Sequence, residues 1–73
     1  MKEPKVGDLV SFDITWADTE AHSKPEYIER IQYGIVTAIY KRARRAWDQY
    51  IIEWNGQDIL FFGKIDKIEI IGD

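Results

Sequence analysis

Apolar and polar residues alternate along much of this chain. Val10, Phe12, Ile14 and Trp16 interleave with Ser11, Asp13 and Thr15, the period of two expected of a strand with one buried and one wet face. This predicts strand one over residues 8–16. Residues 18–24 are polar and loop-like, and Ser23-Lys24-Pro25-Glu26 then has the spacing of a capping box with proline in the first turn, where its missing N–H is harmless. Tyr27, Ile28 and Ile31 follow at helical spacing, so a short helix of about two turns is expected here. Strand two is expected over residues 34–40, a charged connection over 41–46, strand three over 47–54 and strand four over 57–62. Gly63-Lys64-Ile65-Asp66 suits a tight or 3₁₀ turn, and residues 67–71 read as a short last strand.

Asn55-Gly56, between Tyr50-Ile51-Ile52-Glu53-Trp54 and Ile59-Leu60-Phe61-Phe62, is the strongest local signal and predicts a β-hairpin. A two-residue turn needs positive φ at both positions, which Asn tolerates and Gly adopts freely. In a type I′ register Trp54 faces Gln57, Glu53 faces Asp58, Ile52 faces Ile59, Ile51 faces Leu60 and Tyr50 faces Phe61. One hairpin face, Tyr50, Ile52, Trp54, Ile59 and Phe61, is expected to join Val10, Phe12, Ile14 and Val36 in a single core. The opposite face carries Ile51, Leu60 and Phe62, which are unfavourable to leave wet by roughly 25 cal/mol for each Å². The short helix, the Trp16 end of strand one or another protein chain is expected to cover them. The same register sets Glu53 against Asp58, an unfavourable like-charge pair. A three-residue loop with Gly56 in a bulge, pairing Glu53 with Gln57, is the alternative.

Length narrows the architecture. Seventy-three residues make a single domain, residues 1–73, near the lower size at which one core holds a fold together. The chain has no cysteine and no plausible zinc set, so packing of its ten aromatic residues, closure of the sheet or oligomerisation must supply stability. Five short strands joined by tight turns point to an all-β small barrel with the short helix inserted between strands one and two. No apolar run approaches membrane-spanning length, and Lys2-Glu3-Pro4-Lys5 does not open a signal peptide. A soluble protein of the cytoplasm or of a virion is expected, without membrane contact. The net charge of −3 is unevenly spread, because Lys41, Arg42, Arg44 and Arg45 hold four of the ten basic residues. An acidic body with one basic tip is a poor general nucleic-acid binder.

Val6-Gly7-Asp8-Leu9-Val10, Tyr33-Gly34-Ile35-Val36, Tyr50-Ile51-Ile52-Glu53-Trp54-Asn55-Gly56 and Ile68-Glu69-Ile70-Ile71 together resemble small SH3-like barrel proteins, including uncharacterised ones encoded by tailed phages. The resemblance covers most of the chain outside residues 17–32, through short and mainly structural motifs. It implies a strongly bent five-stranded barrel, the fold shared by Sm-like proteins, which are often preceded by a helix and form rings by edge pairing. Ile70-Ile71-Gly72 is only a faint echo of the second Sm motif, and the Asn of the Sm RNA-binding loop has no counterpart.

Candidate chemistry is sparse. Lys41, Arg42, Arg44 and Arg45 offer phosphate contacts, and Tyr40 and Trp47 beside them offer stacking surfaces, a combination suited to RNA or single-stranded nucleic acid. The plain alternative is a solvated loop tip. Trp16, Tyr33, Tyr40, Trp47, Tyr50 and Trp54 have the composition of a methyl-lysine cage or a proline-peptide groove, although such rings more often fill a core. Asp18, Glu20 and His22 alternate in one polar loop without the scaffold of a metal site. One histidine, no cysteine and the isolated hydroxyls Ser11, Thr15 and Ser23 form no catalytic motif, and Glu53 with Asp58 lacks a pocket in so small a barrel. The sequence therefore leads to a non-enzymatic module without cofactor or metal. It is expected to form a homo-oligomer or bind a protein partner through Ile51, Leu60 and Phe62, with nucleic-acid binding at the basic loop as the alternative.

Overall fold

The alternating segments form five strands, β1 (Leu9–Asp13), β2 (Ile31–Tyr40), β3 (Gln49–Trp54), β4 (Gln57–Phe61) and β5 (Ile68–Ile70). The computed structural model describes residues 3–19, 29–44 and 46–71. The strands lie in one antiparallel sheet in the order β4-β3-β2-β1-β5. All-β architecture is thus as expected, but strand pairing does not close the sheet, since β4 and β5 remain its two ends. The C-terminal end of the outer edge of β4 is nevertheless occupied. Ala17 bridges Phe61, the Asp18 N–H donates to the Leu60 carbonyl at 2.7 Å, and the Phe62 N–H donates to the Trp16 carbonyl at 2.9 Å. Backbone groups that would template another strand are satisfied there by the segment following β1.

Strand one is shorter than its alternation suggests. At Asp13 the carboxylate accepts from the Thr15 backbone N–H at 3.0 Å and the Thr15 hydroxyl at 2.6 Å, capping a 3₁₀ turn over Ile14–Trp16. A local side-chain acceptor here outcompetes the ladder. Val10, Phe12 and Ile14 are buried as the period predicts, but Trp16 is turned out to partial exposure. β2 begins at Ile31, three residues earlier than expected, so Ile31 belongs to a strand opposite Asp13 and not to a helix. Glu29 and Arg30 before it are not helical either, and the remaining part of the expected helix lies outside the described residues. β3 starts at Gln49, two residues late, because Trp47 and Asp48 belong to the connection. A 3₁₀ turn over Ile65–Lys67 follows β4 as foreseen.

β2 spans ten residues and serves both halves of the sheet, pairing with β1 along one edge and β3 along the other. A bulge between Val36 and Ala38 bends it, and the Thr37 hydroxyl donates to the Ile51 carbonyl at 3.3 Å beside the shift. Close strand approach explains Gly34, where a Cβ would lie 2.5 Å from the Glu53 carbonyl oxygen. The hairpin has the two-residue turn, with φ of 51° at Asn55 and 77° at Gly56. Its register is the type I′ one throughout, Glu53 opposite Asp58 included, so the three-residue alternative is excluded. All nine expected core residues lie in one buried cluster, joined by Ala17 and Ile68, with Phe12 and Phe61 meeting edge to face at 6.1 Å.

Candidate functional site

The basic loop between β2 and β3 is organised by a residue of opposite sign. Asp48 is buried and accepts the Arg42 backbone N–H at 2.8 Å, with the Lys41 ammonium 3.4 Å and the Arg42 guanidinium 3.7 Å from its carboxylate. The backbone hydrogen bond from Arg42 is the main reason that the Asp48 carboxyl titrates below its ordinary range. Burial opposes that shift, and the hydrogen bond and charge of Lys41 and the charge of Arg42 support it. Lys41 and Arg42 are therefore anchored, while Arg44 stays exposed and Arg45 lies outside the described residues.

Trp47 is fixed by its indole N–H, which donates to the Phe62 carbonyl at 2.9 Å, and the Lys64 ammonium lies 5.9 Å from the centre of its ring. Arg42, Trp47, Asp48, Tyr50, Lys64 and Ile65 contribute to the walls of a cleft of about 520 Å³. Burial first, then the nearby charges of Asp48 and Glu3, raise the Tyr50 phenol above its ordinary value, so it is a neutral hydroxyl at the cleft floor. Trp47 and Arg42 thus meet at one cleft as candidate ring and cation, and Lys64, which the sequence reading missed, joins them. Tyr40 is not part of its walls and sits exposed at the end of β2.

The second apolar face of the hairpin is partly covered. Ile51 and Leu60 are half-buried and Phe62 is 37% exposed, with Trp16 packed against Phe62 edge to face at 6.2 Å. Trp47, Leu60 and Phe62 help line a shallow recess of about 370 Å³. A more open apolar surface lies on the outer face of β1 and β2. Leu9 is 46% exposed and stands opposite Ile35 at 42%, with Tyr33 at 61% opposite Ser11 and Ile31 at 49% opposite Asp13. Residues directly opposite in an antiparallel pair share a face. A signal for this surface was present in the sequence, because Leu9 falls in phase with Ser11 and Asp13 on the side of strand one expected to be wet.

Carboxylates border that strip. Glu53 lies opposite Ile35 and Asp58 opposite Glu53, while Glu69 lies opposite Ser11. All three are exposed, and none forms an ion pair with a described residue.

The remaining candidates disperse. Tyr50 and Trp54 are in the core, Trp16 packs on Phe62, Tyr33 is on the outer face and Tyr40 at the loop, so the six aromatic residues form no cage. Trp54 is held further by its indole N–H donating to the Gln32 side-chain oxygen at 2.9 Å. Of the polar loop only Asp18 is described, and the described residues contain no group of three or more metal-ligating side chains. The Thr15 hydroxyl serves Asp13, Ser11 lies within the sheet, and Ser23 is outside the described residues. No helix among the described residues is long and apolar enough to cross a membrane. No protein family, curated protein or solved structure matches this chain.

Proposed function

We propose that this chain is a non-enzymatic interaction module of the small SH3-like barrel type, and that it works by self-association. The observation that carries this reading is the exposed strip of Leu9, Tyr33, Ile35 and Ile31 on one sheet face. A contiguous apolar surface on a small soluble domain marks a contact site more often than a solvated wall. The bend at the β2 bulge and the bridge from Ala17 to the end of β4 support the barrel reading, because they roll a five-stranded sheet toward closure. Phe62, with half-buried Ile51 and Leu60, extends the apolar surface on the hairpin side. Light scattering tests the proposal. The chain is expected to show a mass above one subunit that falls with dilution, and Ile35→Lys is expected to lower it to one subunit. Phe62→Lys reports separately whether the hairpin side takes part.

A second reading has its own observation, the convergence of Arg42, Lys64 and the Trp47 ring on the cleft between the two loops. That grouping suits one base stacked on indole with its phosphate between two cations. Titration of a labelled single-stranded oligonucleotide checks it: binding that weakens with salt and is lost in Trp47→Ala supports nucleic-acid recognition, and absence of binding at low salt removes it.

A further inference from the structure

Resting on the self-association proposed above, we infer that the outer sheet face of one copy receives the basic loop of a second copy. Leu9, Ile35 and Tyr33 supply the apolar floor of this contact, and Glu53, Asp58 and Glu69 its acidic border. Glu53 and Asp58 repel each other across the hairpin, and no described cation separates them. A guanidinium placed over the pair turns that repulsion into two attractions.

The complementary surface is on the same chain. At the end of β2, Tyr40 is exposed and Arg42 and Arg44 follow it, presenting an aromatic ring and two cations to an apolar strip and a carboxylate pair. Asp48 holds the backbone at Arg42, so less ordering is required there on binding. An acidic border packed on another acidic border would instead set carboxylates against carboxylates, so charge selects the loop as the partner of the border.

Tyr40 ends the same outer face, since its partner Gln49 is in phase with Ile51 and Glu53. It lies five residues along β2 from Ile35, at most about 17 Å away, which sets the loop's cations at the opposite end of the face from their own Glu53–Asp58 pair. The contact is thus between copies, closing a dimer where each loop meets the other's face reciprocally and building a ring or filament where it does not.

Complementary variants test the inference. A face variant carries Glu53→Lys with Glu69→Lys, and a loop variant carries Arg42→Gln with Arg44→Gln. Both are expected to fold, since Glu53→Lys puts opposite charges across the hairpin and neither loop change removes the backbone bond to Asp48; circular dichroism checks this. In sedimentation at low salt each variant alone is expected to run as one chain. Their equimolar mixture is expected to form a dimer that grows no further, because only one intact loop and one intact face remain to meet. Variants that associate like the unaltered chain, or a mixture that stays monomeric, overturn the loop-to-face contact. Loss of association in Ile35→Lys alongside unaffected charge variants also overturns it, while leaving self-association standing. A chain that never associates but binds an arginine-rich peptide on this face overturns both and assigns the face to another basic partner.

Discussion

Asp13 occupies a position that alternation assigns to solvent, yet it is 4% exposed and accepts from Thr15 and from the Arg30 Nε at 2.8 Å. Burial pushes its carboxyl upward, but the Thr15 and Arg30 hydrogen bonds and the Arg30 charge outweigh it, so the group titrates below its ordinary value of 3.8. Asp48 is shifted in the same direction. A carboxyl depressed by folding contributes stability that is complete above its unfolded value and is lost as pH falls through the folded one. Thermal stability is therefore expected to be insensitive to these groups near neutrality and to fall below about pH 4. Asp13→Asn with Asp48→Asn is expected to lower stability at pH 7 and flatten the acid limb; an unchanged limb would remove both groups from that role. Ile52 makes a different kind of contribution. It is fully buried, and Ile52→Ala is expected to destabilise by about 2–5 kcal/mol in denaturant unfolding, through lost burial and a residual cavity. A change below about 1 kcal/mol would contradict its central place in the core.

At the scale of elements, the hairpin was the most legible part because its turn chemistry and side-chain alternation both specify one register. Asn55 and Gly56 take the positive φ values that only such residues adopt readily, and Ile52, Ile59, Tyr50 and Phe61 then fall on the core side together. The exposed Glu53 and Asp58 are opposed as a consequence. Asp58→Lys is expected to raise stability by about half a kcal/mol, and a loss of stability would show that another group already relieves the pair. The limits of β1 and β2 were less legible. Whether Asp13 continues a strand or caps a turn depends on Thr15 two residues on and on Arg30 seventeen residues on, and the latter contact appears only once β2 pairs with β1. Ile31 likewise fits a helical spacing and a strand spacing equally until its partner is known. Gly34 carried no sequence signal of its own, since its requirement comes from the carbonyl of β3 passing beside it. Gly34→Ala is accordingly expected to destabilise the fold, read as a lower denaturation midpoint; a neutral result would mean that β3 moves aside at little cost.

For the whole molecule, the uneven charge in the sequence maps onto separate surfaces. The basic loop and the Trp47 cleft lie at the β2–β3 end, while the apolar strip and its carboxylates lie on the outer face of the sheet. The basic loop and Trp47 were visible in sequence because four cations cluster within five positions beside aromatic residues. Asp48 and Lys64 were not, since one acts by burial and the other arrives from the β4–β5 turn. The outer strip was missed because its members come from two strands and join only through the β1–β2 register. Association driven by both apolar contact and opposite charge is expected to weaken as salt is raised and to survive in part when charge is fully screened. Sedimentation of the unaltered chain over a wide range of micromolar concentrations decides whether it self-associates. The average mass is expected to rise with concentration to at least twice the single-chain value of 8.6 kDa and to fall as salt increases, whereas a constant mass of one chain rules self-association out.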